Sequence, residues 1–150
     1  MEVLSQPISP ENFNITHYKD NKFSIVNNAK DNSPTTEKNI KEIYSIIKSD
    51  TFKTLIEQIR AESSPKKTIL KAKLKAFCVG GTFAVRNING LLICSGFVHS
   101  DIDGLTPVQM IAFAKILTNN PFITLFFISP SGTGFKVFAK VNTTAEQHLK

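Results

Sequence analysis

The sequence predicts one α+β domain in which helices flank a mostly antiparallel sheet. Apolar residues recur at helical spacing between residues 36 and 62, and from residue 68 onward they alternate with a period of two. One well-capped helix then separates the earlier predicted strands from the later ones, an order typical of α+β domains. With 150 residues, 41 % of them hydrophobic, the chain can bury the core of one such domain.

The first 35 residues are predicted to form a polar segment with a short strand at "KFSIVN", and residues 36–150 the domain proper. Thr35 or Thr36 can cap a first helix, and Ser49 or Asp50 can cap a second. One face of each helix carries apolar residues, namely Ile40, Ile43, Tyr44, Ile47, Phe52, Leu55, Ile56 and Ile59.

Strands are predicted after "SSP". In "TILKAKLKAF" a strand places Lys71, Lys73 and Lys75 on one face, whereas a helix would scatter them. "FCVGGTFAV" and "GLLICSGFVHSDID" predict two further strands joined by the turn "RNING". The second of them is apolar on both faces, which predicts a position in the middle of a sheet.

"LTPVQMIAFAKILTNN" carries the strongest helix signal in the chain. Thr106 can serve as the N-cap, Pro107 fits the first helical position, and Gln109 completes a capping box. "PFITLFFI" follows as a buried strand and "FKVFAKV" as the next strand, and "TTAEQHLK" begins a last helix.

Composition and charge narrow the classes of function. No apolar run is long enough for a membrane span and the N-terminus lacks a signal-peptide layout, so we expect a cytoplasmic protein. Cys78 and Cys94 are expected to be buried thiols, and the three histidines lack zinc-ligand spacing. From Ser63 to Ser100 there are six basic residues and no acidic one, within a net charge of +6. Such a block favours a polyanionic partner, although a solvated lysine face that serves solubility fits as well.

The segment "HSDIDG" ends the predicted apolar strand. Strand alternation places His99, Asp101 and Asp103 on one face. Two neighbouring carboxylates repel each other unless a divalent cation lies between them, and Mg²⁺ accepts one or two protein carboxylates together with waters and phosphates. Asp-Gly also marks an ordinary turn, so a metal site and a turn both fit the segment.

The segment "ISPSGTGFKVFAK" contains a loop rich in glycine and hydroxyl groups. A Walker loop is excluded, because Gly132 and Gly134 are only two residues apart, a phenylalanine precedes Lys136, and a strand follows. What is left is a turn with backbone N–H groups and the hydroxyls of Ser129 and Ser131, either an anion-binding nest or a glycine-rich hairpin.

The strand after this loop places Lys136, Phe138 and Lys140 on one face. An aromatic ring between two cations can stack a base while the cations hold backbone phosphates. Alternatively, a helix packs over Phe138 and the lysines lie at its rim. No G-x-S-x-G motif is present, so acyl chemistry is not expected.

Three motifs in this order resemble one known family: "GTF" at 81–83, "SGFVHSDIDGL" at 95–105 and "SPSGTGFKV" at 129–137. The chain resembles, over roughly residues 40 to 150, the VirE N-terminal or BT4734-like N-terminal domain family, which is grouped with the archaeo-eukaryotic primase superfamily. The resemblance implies a primase-polymerase-like domain with an RRM-like core, from a mobile-element or plasmid-type replication protein.

The resemblance also implies a role for each motif. Asp101 and Asp103 would be the catalytic pair that binds Mg²⁺ or Mn²⁺, and Lys136 would stand where such primases often have a nucleotide-contacting histidine. The implied partners are DNA, single-stranded or primer-template, and nucleoside triphosphates. The implied nucleotide-binding residues are Ser129, Ser131, Gly132, Gly134 and Lys136, and the implied nucleic-acid-binding residues are Lys71, Lys73, Lys75, Phe138 and Lys140.

The resemblance further requires a third acidic residue, and Glu146 is the only acidic residue after Lys140. We therefore expect a chain that is incomplete at its C-terminus, with the third motif and a helicase-like region elsewhere in a longer parent protein, or else a small degenerate relative. Three functions follow: a nucleotidyltransferase, a nucleic-acid-binding module or remnant without catalysis, and a protein-interaction domain.

Overall fold

The computed structural model describes residues 21–141, and its elements confirm the α+β class. The first twenty residues and the predicted last helix, "TTAEQHLK", lie outside the described residues. The strands are β1 (Lys22–Val26), β2 (Thr36–Asn39), β3 (Ala76–Cys78), β4 (Gly81–Phe83), β5 (Leu91–Cys94), β6 (Phe97–Ile102), β7 (Ile123–Ile128) and β8 (Phe135–Lys140). The helices are α1 (Ile40–Lys48), α2 (Lys53–Ala61), α3 (Lys66–Lys71) and α4 (Pro107–Asn119), with 3-10 turns at Asp50–Phe52 and Ile88–Gly90. None of the helices between residues 21 and 141 has the length and apolarity that a membrane crossing requires.

The strands form three small antiparallel sheets, with the orders β2-β1-β3, β4-β5 and β6-β8-β7. The predicted single strand "GLLICSGFVHSDID" is broken at Gly96, whose φ of +73° ends β5 and turns the chain into a different sheet. The prediction of a mid-sheet position is wrong, because β6 is an edge strand and β5 pairs only with β4. Leu92 and Ile93 are exposed as a result.

The core lies on both faces of the β6-β8-β7 sheet. On one face Phe138 and Phe97 pack edge to face on Phe23, with ring centroids 6.1 and 5.6 Å apart. On the other face Val137, the neighbour of Phe138, packs with Leu117 of α4, since successive strand residues point to opposite sides. Phe23 is fully buried in β1, so this early strand belongs to the same core as the residues after position 36.

The segment "TILKAKLKAF" does not form the predicted strand. It folds as the end of α3 followed by a turn, and only its last two residues enter β3. The helix begins after Pro65, and Leu70 is buried where α3 packs beside α2. Tertiary burial of one leucine therefore prevails over a short alternating pattern, whose local preference is weak. The lysines at 71, 73 and 75 are exposed but do not line one face of a strand.

Helix α1 begins later than predicted, because Thr36–Asn39 pair with β1 as strand β2. Its N-cap is Asn39, which closes a capping box with Glu42: the Asn39 side chain accepts from the Glu42 N–H at 3.0 Å, and the Asn39 N–H donates to the Glu42 carboxylate at 2.9 Å. Hydrogen bonds from Lys38 and from the Asn39 backbone lower the pKa of Glu42. The predicted capping box of α4, between Thr106 and Gln109, is confirmed.

Replacing Asn39 by alanine should lower the free energy of unfolding by about 1 kcal/mol, because the first turn of α1 loses the acceptor for one of its orphan N–H groups. Urea denaturation followed by circular dichroism measures the change. Lys41→Ala is the control, since Lys41 is exposed on the same helix and should change stability by less than about 0.5 kcal/mol. Equal stability of the two variants would contradict the role of Asn39 as the cap.

Candidate functional site

The two motifs that the sequence singled out meet at one end of the β6-β8-β7 sheet. The antiparallel register places Asp101 of β6 directly opposite Lys136 of β8. The Lys136 ammonium forms an ion pair with the Asp101 carboxylate, and the two side chains are 31 % and 40 % exposed. The carboxylate predicted to bind metal and the lysine predicted to bind nucleotide therefore contact each other.

The loop of residues 129–134 is fixed against the end of β6. A Cβ at Gly134 would overlap the carbonyl oxygen of Ile102 and lie 2.9 Å from the Cα of Asp103, so only glycine fits this approach. The Leu105 N–H donates to the Thr133 carbonyl at 2.9 Å on the other side of the contact. Asp103 itself follows the last residue of β6 and is exposed.

Internal hydrogen bonds close the same loop. The Ser129 N–H donates to the Gly134 carbonyl at 2.8 Å, and the Gly132 N–H donates to the Ser129 carbonyl at 2.9 Å. Gly132 has a φ of +82°, which favours glycine. The Ser129 hydroxyl is buried 3.0 Å from that of Ser131. Ser129 thus braces the turn, while Ser131 and Gly132 lie closer to the surface.

The metal ligands that the sequence predicts are the carboxylates of Asp101 and Asp103. Carboxylates such as those of Asp101 and Asp103 are a ligand type that Mg²⁺ and Mn²⁺ accept. The Asp101 carboxylate, however, forms an ion pair with Lys136. Between residues 21 and 141 there is no group of three histidine, cysteine or acidic side chains that could hold a metal. Glu146, the sequence-based candidate for a third carboxylate, lies outside this range. Burial raises the pKa of the Cys78 thiol, which disfavours the thiolate that a metal would need.

The predicted nucleic-acid-binding residues separate into two groups. Phe138 is only 3 % exposed, and Phe23 and Phe127 each pack edge to face on its ring at 6.1 Å between centroids. The prediction that this ring lies open for base stacking is therefore wrong. The ring is buried in a cluster that contains Phe23 of β1 and also Ile40 and Ile43 of helix α1, which agrees with the alternative that a helix covers this face. The lysines remain exposed, at positions 71, 73, 75 and 140.

One residue of this region was not predicted from the sequence. Arg60, near the end of α2, extends its side chain over Gly132: a Cβ on that glycine would lie 3.3 Å from the Arg60 Nε. The only sequence signal is a basic residue near the C-terminal end of a helix. Its place beside a loop some seventy residues later depends on the packing of α2 and could not be read from spacing.

The comparisons with known proteins identify the family. The family model described as BT4734-like, N-terminal domain, matches residues 69–150, which is more than half of the chain. The chain belongs to the BT4734-like N-terminal domain family. The matched part of this BT4734-like domain includes Asp101, Asp103 and the loop of residues 129–134, whereas Arg60 precedes it. Comparisons with curated proteins and with solved structures found no match.

Replacing Gly134 by alanine should lower the free energy of unfolding by about 2 kcal/mol or more, because the added methyl group cannot fit against Ile102 and Asp103. Gly104→Ala is the matched control. Gly104 has a φ of +72° and open space around it, so alanine there should cost about 1 kcal/mol from backbone strain alone. Urea titrations of the two variants compare the losses, and an equal or smaller loss for Gly134→Ala would contradict the close contact between the two motifs.

Proposed function

We propose that this BT4734-like domain binds nucleotide phosphates and nucleic acid as a primase-polymerase-like part of a mobile-element or plasmid-type replication protein. The observation that carries the proposal is the contact between the Asp-x-Asp segment and the glycine loop. An ion pair from Lys136 to Asp101 and the close approach of Gly134 to Asp103 bring acidic and basic groups to one place. A site for a metal–phosphate complex needs this mixture, carboxylates for the metal and cations with backbone N–H groups for the phosphates.

In this proposal Asp101 and Asp103 hold Mg²⁺ or Mn²⁺. The metal, when bound, supplies activation of a hydroxyl group and stabilisation of the leaving pyrophosphate. Lys136 neutralises Asp101 before ligand binds and contacts phosphate once ligand is present. The segment that follows α2, with exposed Lys71, Lys73 and Lys75, holds the nucleic-acid backbone.

A second candidate is a module that binds nucleic acid without catalysis. Two observations favour it. Lys136 engages one of the two carboxylates, and residues 21–141 contain no group of three histidine, cysteine or acidic side chains that could hold a metal. In this case the exposed lysines carry the function, and the Asp101–Lys136 pair is a cross-strand contact of the sheet. The two candidates differ in whether ligand binding depends on metal.

Metal binding tests the first candidate. Electron paramagnetic resonance of free Mn²⁺ should show binding to the protein that strengthens when a nucleoside triphosphate is added. The double substitution Asp101→Asn and Asp103→Asn should weaken this binding at least about tenfold, because it removes both anionic ligands. Asp31→Asn with Asp50→Asn removes the same charge elsewhere and serves as the control. Unchanged Mn²⁺ binding in the first double variant would falsify the metal site.

Binding of single-stranded DNA in EDTA tests the role of the lysines. A triple substitution of Lys71, Lys73 and Lys75 by glutamine should weaken binding and reduce the slope of log K against log salt by about 2, because three phosphate contacts are lost. A triple glutamine variant at Lys30, Lys41 and Lys48, all exposed, makes the same charge change as a control. If both triple variants lose affinity equally, the surface that carries Lys71, Lys73 and Lys75 is not the DNA-binding surface. Binding in EDTA favours the second candidate, and binding that requires Mg²⁺ favours the first.

A further inference from the structure

We propose that Arg60 and the loop of residues 129–134 form a subsite for a phosphate group of a nucleoside triphosphate. This inference deepens the proposed function and rests on it. It adds a binding residue from α2, a helix that lies before the matched family region. The subsite joins a guanidinium group to the backbone of the glycine turn, and each contributes donors suited to a phosphate oxygen.

The geometry places the Arg60 side chain directly over the turn. A Cβ on Gly132 would lie 3.3, 3.5 and 3.6 Å from the Nε, Cδ and Cγ of Arg60, so the stem of the arginine covers this glycine. The Ser129–Ser131 hydroxyl contact and the Gly132–Ser129 hydrogen bond hold the turn in shape beneath it. The turn therefore needs little rearrangement before an anion binds, which reduces the entropic cost of binding.

Three donor groups of this cluster have no partner among residues 21–141: the Arg60 guanidinium and the backbone N–H groups of Ser131 and Thr133. The Arg60 guanidinium makes no hydrogen bond or ion pair there, although Glu57 stands three residues earlier on the same helix. The backbone N–H groups of Ser131 and Thr133 likewise have no acceptor in this range. Arginine offers five N–H donors in a planar fork that matches two oxygens of one phosphate. Lys136, by contrast, is already engaged by Asp101.

The type of ligand follows from the charges. A guanidinium and two backbone N–H groups supply donors and one positive charge without an acceptor, which favours an anion over a neutral group. Lys136 lies two residues after the end of the loop. A second phosphate of the same ligand can therefore attract the Lys136 ammonium group away from Asp101. A polyphosphate can place one phosphate at Arg60 and the turn and another at Lys136, whereas a single carboxylate can occupy only one of these positions.

The experiment measures binding of a fluorescent nucleoside triphosphate by the full chain at low salt in EDTA. Arg60→Gln should weaken binding about tenfold, which is the loss expected for one charge-assisted bidentate interaction between a guanidinium and a phosphate. Arg60→Lys should retain more affinity than Arg60→Gln but less than the unsubstituted protein, because lysine keeps the positive charge but cannot form the bidentate hydrogen bonds of a guanidinium. Lys53→Gln, an exposed cation on the same helix, is the control and should change binding less than about twofold.

The outcomes separate this inference from the function on which it rests. Failure of the unsubstituted protein to bind the triphosphate, both in EDTA and in a parallel titration with Mg²⁺, would overturn both. If binding needs Mg²⁺, the variants are compared with Mg²⁺ present. Normal binding by the unsubstituted protein, with equal effects of Arg60→Gln and Lys53→Gln, would overturn the subsite alone. Inorganic triphosphate should compete in an Arg60-dependent way. A loss that appears only with single-stranded DNA, while triphosphate binding is unchanged, would assign Arg60 to the nucleic acid and overturn the subsite. Thermal unfolding of Arg60→Gln checks that the fold is retained.

Discussion

The pairing of β8 between β6 and β7 is the constraint on which the rest of the structure depends. As the middle strand of its sheet, β8 directs Phe138 toward Phe23 on one side and Val137 toward α4 on the other. Burying each phenylalanine contributes roughly 1.5–3 kcal/mol, so a shift in register by one residue would exchange the two faces and lose both clusters. The same register fixes Asp101 opposite Lys136.

The candidate site inherits its geometry from this sheet. The loop of residues 129–134 connects strands β7 and β8, and the absence of a side chain at Gly134 lets it lie against the end of β6. Apolar packing within the sheet thereby holds charged groups at its edge. A site on the ends of strands has a rigid support, while its side chains remain accessible to solvent and to a ligand.

Local signals predicted the later half of the chain well. Helix α4 carries its N-cap, its proline and its capping partner within four residues, and β7 and β8 are strongly apolar strands separated by a glycine turn. The segment around Lys71, Lys73 and Lys75 does not form the predicted strand. A short alternation of apolar and charged residues is also compatible with a helix and a turn when one leucine, here Leu70, is buried. The burial of Phe138 could not be predicted for a related reason. The sequence shows on which face of the strand Phe138 lies, but it does not show which residues cover that face.

The sequence by itself therefore determined the α+β class, the helix and two strands around the glycine loop, and the nearness of that loop to the Asp-x-Asp segment as the family resemblance implies. Caps, turn residues and apolar periodicity act over a few residues, and this is why they can be read directly. Tertiary structure alone decided the division into three sheets, the burial of Phe138 and the position of Arg60 over Gly132. Each of these depends on contacts between residues far apart in the chain, whose energies no local pattern records.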